Sequence, residues 1–312
     1  TLPTLHSPLY TPHSTLPTPM TRRTFLHTAA AATGGLALAG LAGCTPDSES
    51  SAETNADSDA TTGVGPVGVQ LYTLRSLLHD DLEGTLEQVA AMGYQQVEFA
   101  GYYDRSPSDL NALLDRLNLI APAAHAMPQD IRERPDDLLR MADALGHDYL
   151  VCAYLTEDDR ASLDDYRTVA DLLNTFGKRC AKRGVQLAYH NHAFEFERME
   201  NQRPYDLLLS ETDGDLVKME LDLYWIHKAD VDPFAYFAQH PGRFPLWHVK
   251  DMGADGAIVP VGNGQIDFAA LFARAEQAGL QHAFVEHDNP DDPLASIQTS
   301  MEHLRTMPVP GA

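Results

Sequence analysis

The sequence predicts a (β/α)8 barrel. Eight short apolar runs alternate strictly with amphipathic stretches of helical spacing, and most of the apolar runs finish on a polar or reactive side chain. The alternating part spans roughly 240 residues, the usual size of one such barrel.

Strict alternation demands parallel strands joined by helical crossovers. Residues 67–72 read as the first strand and 82–92 as its helix. Strand 96–100 is followed by helix 110–117, strand 120–125 by helix 138–145, and strand 149–152 by a long helix over 166–183 that stops at Gly184, a typical C-terminal cap. Strand 185–190 precedes a short helix at 205–210. Strand 217–222 precedes helix 233–239, which Asp232 caps and Pro233 opens. Strand 246–250, helix 268–278, strand 284–286 and helix 294–304 complete eight units. A doubly wound open sheet would place a glycine-rich phosphate turn after the first strand, and Gln70-Leu71-Tyr72-Thr73 is not one.

The four segments expected are 1–44, 45–65, 66–307 for the barrel and a short tail at 308–312. Residues 1–19 are rich in Thr, Pro, Leu and Ser without periodicity and read as an over-long start ahead of Met20. From Met20, Thr21-Arg22-Arg23-Thr24-Phe25-Leu26 and an Ala/Gly/Leu run to Leu41-Ala42-Gly43-Cys44 read as a twin-arginine export signal with a lipoprotein box. Cys44 is the expected lipidation site, which places the protein in the periplasm or on the cell surface, held to the membrane only by its lipid. An ordinary cleaved signal with a chance cysteine is the alternative. The Ser/Asp/Glu/Thr/Ala tract at 45–65 has too little apolar surface to repay ordering and reads as a disordered linker.

Lys and Arg number 22 against 45 Asp and Glu, a formal charge of −23, which opposes a nucleic-acid partner. The three cysteines, Cys44, Cys152 and Cys180, form no CxxC pair. Cys152 and Cys180 read as small core residues, with a disulfide between them left open.

Polar residues fall at successive strand ends: Glu98, His125, His190, Asp222, His248 and Glu286. Their spacing is close to the ~30 residues of one strand–helix unit, so they meet at the C-terminal mouth, where barrel enzymes place their chemistry. His190, Asp222, His248 and Glu286 come from four neighbouring strands. Two imidazoles and two carboxylates suit one divalent ion, of Mn, Zn, Co, Fe or Mg type. A buried carboxylate needs such a partner, because an isolated charge in an apolar strand is costly.

The motifs Tyr189-His190-Asn191-His192-Ala193-Phe194-Glu195-Phe196, Glu220-Leu221-Asp222-Leu223-Tyr224-Trp225, Trp247-His248-Val249-Lys250-Asp251, Gly262-Asn263-Gly264-Gln265-Ile266-Asp267-Phe268 and Val285-Glu286 resemble the xylose-isomerase-like sugar phosphate isomerase/epimerase superfamily. The resemblance covers about 67–306. It implies a barrel holding one divalent metal through strands five to eight, which here assigns His190, Asp222, His248 and Glu286. Many members carry Glu where this chain has His190, and in the epimerases that Glu and the strand-eight Glu work on opposite faces of one carbon. The substitution sets a two-carboxylate epimerisation in question. Glu195 is a replacement only if its loop brings it back.

The expected chemistry is removal of a proton next to a carbonyl through a metal-stabilised enediolate. Glu286 and His192 are the candidate base and acid, and Lys250 the group that holds a substrate oxygen or shuttles a proton. A salt bridge from Lys250 to Asp251 or Glu220 is its structural alternative. Glu98, His125 and Trp225 are expected to line the substrate pocket, with Tyr72, Tyr102 and Phe194 as further walls. The substrate expected is a small sugar-like molecule. The enediolate leads to an epimer, to an aldose–ketose isomer or, if a β-substituent leaves, to cleavage of a 3-keto-glycoside. A non-catalytic sugar-binding lipoprotein and an endonuclease-IV-type hydrolase are the remaining classes; the charge and the export signal oppose the second.

Overall fold

A computed structural model describes residues 66–307. Ten strands occur in this span: β1 (Val67–Gln70), β2 (Gln96–Phe99), β3 (Ile120–Ala126), β4 (Tyr149–Cys152), β5 (Gln186–His190), β6 (Val217–Asp222), β7 (Leu246–Val249), β8 (Asp251–Met252), β9 (Ile258–Val259) and β10 (His282–Val285). Eight of them close into the predicted barrel in the order β1-β10-β7-β6-β5-β4-β3-β2. Every pair is parallel, and the seam is β1 on β10 with Val67 opposite Ala283 and Val69 opposite Val285. The fold class is as the alternation predicts.

Side chains of a strand alternate between its two faces. The face turned to the helices carries the main core, with Val69, Val97, Leu187, Leu221, Trp247 and Val249 fully buried against it. The inward face forms a second, smaller apolar plug of Ala123, Tyr149, Val151, Ala188, Leu246 and Phe284. Gly68 belongs to this layer: a Cβ there would come within 2.4 Å of the Phe284 ring. Two residues further along the strands the same face turns polar. His125 follows Ala123, His190 follows Ala188, His248 follows Leu246 and Glu286 follows Phe284. Pleating alone therefore stacks the candidate site directly on the plug.

Helix starts follow their caps. Ser106, Ser162, Asp232 and Asp292 each accept a backbone N–H in the first turn. The long helix runs Leu163–Ala181, and Gly184, at φ +72°, reverses the chain into β5.

Several bounds differ from the sequence reading. β1 stops at Gln70, not residue 72, because the Gln70 amide oxygen accepts the Tyr72 N–H and starts a 3-10 turn, Leu71–Leu74. The helix expected over 268–278 is two short ones, Phe268–Phe272 and Ala275–Ala278. The last strand starts at His282 and ends one residue before Glu286. Short helices Arg75–Asp80, Pro128–Glu133 and Leu223–Lys228 and the β8–β9 hairpin lie in connections that the strand–helix count passes over. Cys152 and Cys180 are free and buried, so apolar packing, not a disulfide, accounts for both. The export signal, Cys44, the linker and the tail at 308–312 lie outside the described residues. Among the described residues no helix is long and apolar enough to cross a membrane.

Candidate metal centre and active site

The end of β5, the end of β6, β7 and the residue after β10 bring His190, Asp222, His248 and Glu286 together. One donor atom from each lies within 4.8 Å of all the others. His248 Nδ1 is 2.8 Å from Glu286 Oε2 and 3.9 Å from Asp222 Oδ2, and His190 Nε2 is 3.5 Å from that same Asp222 oxygen. All four side chains are buried.

Protein partners hold the other polar atom of three of them. His190 Nδ1 donates to the Ala153 carbonyl at 2.9 Å, which leaves Nε2 as the lone-pair nitrogen. Asp222 Oδ1 caps helix Leu223–Lys228 by accepting the Trp225 N–H at 2.8 Å. His248 Nε2 donates to Glu98 Oε2 at 2.8 Å, with Glu220 Oε2 at 3.2 Å. The atoms that remain, His190 Nε2, Asp222 Oδ2, His248 Nδ1 and Glu286 Oε2, are buried without a hydrogen-bond partner. Four donor atoms without a hydrogen bond converge on one point, three of them aimed by a bond on the far side of their group, an arrangement that suits a coordinated cation.

A second group, Glu98, His125, Glu220 and His248, is equally compact. It fits a cation less well. The Gln70 side chain is oriented by the Tyr72 N–H on its oxygen, so its NH2 points into this group, 2.7 Å from Glu98 Oε2 and 3.2 Å from His125 Nε2. An amide donor there opposes a positive ion. The group is instead a hydrogen-bonded layer beneath the first, and it sets the tautomer of His248.

Charge follows this division. Burial pushes Asp222 up, but Lys250 and the two imidazoles outweigh it and hold the carboxyl at about 2. Burial likewise opposes ionisation of Glu286, and Lys250 and His248 overcome it, leaving it well below the usual carboxylate range. Below, burial raises Glu98, with the Glu220 charge adding to it, and lowers His125 to about 4. Burial would also lower His248, yet Glu220 and Glu286 pull it well above its ordinary value. The upper group thus holds two ionised carboxylates, kept so by the cationic groups around them, and carboxylates in that state suit a divalent cation.

The other expected site residues divide. Lys250 is buried on the mouth side of His248, and its partners are Asp222 Oδ2 (2.9 Å), Glu286 Oε2 (2.8 Å) and Asp288 Oδ1 (2.7 Å), not Asp251 or Glu220. Asp251 turns away to accept the N–H groups of Gly262, Gly264 and Ile266, and so shapes the loop after the hairpin. His192 packs edge-on to His190 at 4.8 Å, stacks on Phe194 at 5.3 Å and lies 5.5 Å from Trp225. Its Nδ1 and the Trp225 Nε1 are buried and unpartnered, aromatic groups with polar handles at the mouth. His125 keeps some exposure between the two layers. Glu98, expected in the substrate pocket, is 0% exposed behind His248 and supports that ring. Glu195 does not replace the missing Glu: it is buried in a 3-10 turn, accepting from Tyr189 Oη at 2.6 Å and from the His192 N–H at 2.8 Å. Tyr102 stacks near His147 and bonds it, away from this cluster, and Tyr72 lies under the Arg75 guanidinium. Gln70, Glu220 and Asp288 escaped the sequence reading.

The fold and this mouth define a (β/α)8 barrel with a carboxylate–imidazole centre at its C-terminal end. Residues 86–307 match the family described as xylose isomerase-like TIM barrel, and the chain belongs to that family. It is 23% identical over 264 residues to inosose dehydratase of Salmonella typhimurium, covering 68% of this chain and 82% of that one. A sugar phosphate isomerase/epimerase from Parabacteroides distasonis superimposes with a TM-score of 0.70 at 24% identity, over 83% of this chain and 98% of that one. The IolI protein, solved with a zinc atom bound, superimposes at 0.63 with 18% identity, over 76% and 95%. At these identities the structural likenesses speak for the fold.

Proposed function

We propose that the protein is a divalent-metal-dependent enzyme that removes a proton next to the carbonyl of a sugar-like ketone, as a sugar isomerase or epimerase. The carrying observation is the set of four orphaned atoms on His190, Asp222, His248 and Glu286. The zinc reported for the IolI protein supports a metal in the same fold. A cation held there supplies Lewis acidity, polarising a substrate carbonyl and stabilising the enediolate. The chain's own groups do the rest. Glu286, at the rim of the cluster, is the base. Lys250, 2.8 Å from it, is the protonated group that meets the developing oxyanion or returns the proton. His192 and Trp225 orient hydroxyl groups through their free nitrogens, and their rings, with Phe194, exclude water.

A second reading, elimination of a β-hydroxyl or β-glycosyl group after the same first step, has its own support. His190 stands where an opposing carboxylate would serve a two-sided epimerisation, and the named sequence relatives are dehydratases. One experiment serves both. Metal-loaded protein incubated in D2O with free ketoses, 3-keto-glycosides and inosose, followed by NMR, is expected to exchange the proton beside the carbonyl of at least one. An isomer or an unsaturated product then separates the readings. Fully loaded protein that exchanges none of them ends the proposal. We also propose, from the signal at 20–44 alone, export and lipidation at Cys44; labelled fatty acid should enter the wild type and not C44S.

A further inference from the structure

We propose that Lys250 is a resident counter-cation, holding Asp222 and Glu286 in place before a divalent ion arrives and driven onto Asp288 when the ion binds. The inference rests on the metal reading above. Its ground is a coincidence of atoms. Two oxygens beside Lys250, Asp222 Oδ2 at the end of β6 at 2.9 Å and Glu286 Oε2 just after β10 at 2.8 Å, are two of the four orphaned donors of the metal cluster. Lys250 sits at ion-pair distance from both without forming a hydrogen bond to either, whereas it does donate one to Asp288 at 2.7 Å. An ammonium and a dication on the same two oxygens repel each other strongly in a buried site, so binding of the ion favours withdrawal of the ammonium.

The place to leave for is already built. Asp288 lies two residues beyond Glu286, and Arg75 from the far side of the barrel seam fixes its segment, donating to the Asp288 carbonyl and to Asn289 Oδ1, both at 2.6 Å. A small swing of a long, flexible side chain therefore keeps one ion pair while it releases two. Three carboxylates, Asp222, Glu286 and Asp288, share this one ammonium until a divalent ion binds. Until then the ammonium spares two buried carboxylates from facing each other unscreened. Lys250 is on this account a positioning residue for the metal ligands as well as a group at the reaction.

The test uses chelator-treated full chain titrated with Mn2+ by calorimetry, together with thermal melting without metal, for wild type, K250M, D288N and the double variant. Metal-free K250M should melt several degrees below wild type, and it should bind Mn2+ more tightly, on the order of tenfold or more, because a competing charge is gone. D288N should bind Mn2+ more weakly, and that loss should largely vanish in the K250M background, where no ammonium needs a refuge. K250M binding no tighter than wild type, or D288N weakening binding equally in both backgrounds, overturns the exchange while leaving the metal reading intact. A wild-type protein that takes up no Mn2+ or Zn2+ removes both. Should K250M not fold, D288N alone decides: Mn2+ affinity equal to wild type overturns the proposal.

Discussion

Replacing Glu98 by Gln tests how the layers cooperate. Glu98 touches neither the proposed cation nor the substrate; it accepts the His248 Nε2–H at 2.8 Å and so leaves Nδ1 to face the metal cluster. Gln can turn its NH2 toward that nitrogen, which would move the ring proton to Nδ1 and spoil the donor. Removing such an orienting partner typically costs 10–100-fold in metal affinity. Glu220 Oε2, 3.2 Å from the same nitrogen, remains as a partial substitute. The low end is therefore expected for E98Q, about tenfold or ~1.4 kcal/mol, and the E98Q/E220Q pair should approach the high end, ~2.7 kcal/mol. The fold should survive, because the change keeps volume and relieves two buried carboxylates of each other's charge. The assay is calorimetric titration of chelator-treated protein with Zn2+ or Mn2+, with urea unfolding as the stability control. Wild-type affinity in a folded E98Q/E220Q protein would refute the claim that this layer sets the histidine tautomer.

Asp222→Asn keeps the Oδ1 cap of helix Leu223–Lys228 but removes the charge at Oδ2, so stability should hold in denaturant titration while metal uptake by elemental analysis is lost. Trp247 is fully buried and stacked on Phe237 at 5.3 Å, so Trp247→Ala should cost ~3–5 kcal/mol in urea unfolding. His147 is buried neutral, its Nδ1–H on the Ala121 carbonyl at 2.6 Å, and burial lowers its pKa to about 4. The unfolded chain then binds more protons between the two pKa values, so stability contributed above pH ~6.5 drains away as pH falls toward 4, up to ~3 kcal/mol at ~1.4 per pH unit. His147→Gln should flatten that part of the pH–stability curve relative to wild type; an unchanged slope would show that His147 titrates normally.

The barrel was legible because alternation is a period-two and period-3.6 signal repeated eight times, and because residues such as His190 and His248 interrupt apolar strands where a polar group needs a reason. Strand and helix ends were harder. The stop of β1 at Gln70 depends on one side-chain bond to the next turn, and the hairpin after β7 on Asp251 gathering distant N–H groups. Glu220 carried a readable signal: it precedes Asp222 by two residues, so pleating turns both inward. Asp288 and the true setting of Glu195 carried none, since each lies in a loop whose path tertiary contacts decide. Glu98 showed its strand-end position in the sequence but not its depth behind His248.

The central claim is one cation shared by four named atoms. Crystals grown with Zn2+ or Mn2+ and measured at the metal's absorption edge should show a single anomalous peak within bonding distance of His190 Nε2, Asp222 Oδ2, His248 Nδ1 and Glu286 Oε2. A peak among Glu98, His125 and Glu220 instead, or none in the barrel mouth, would contradict it.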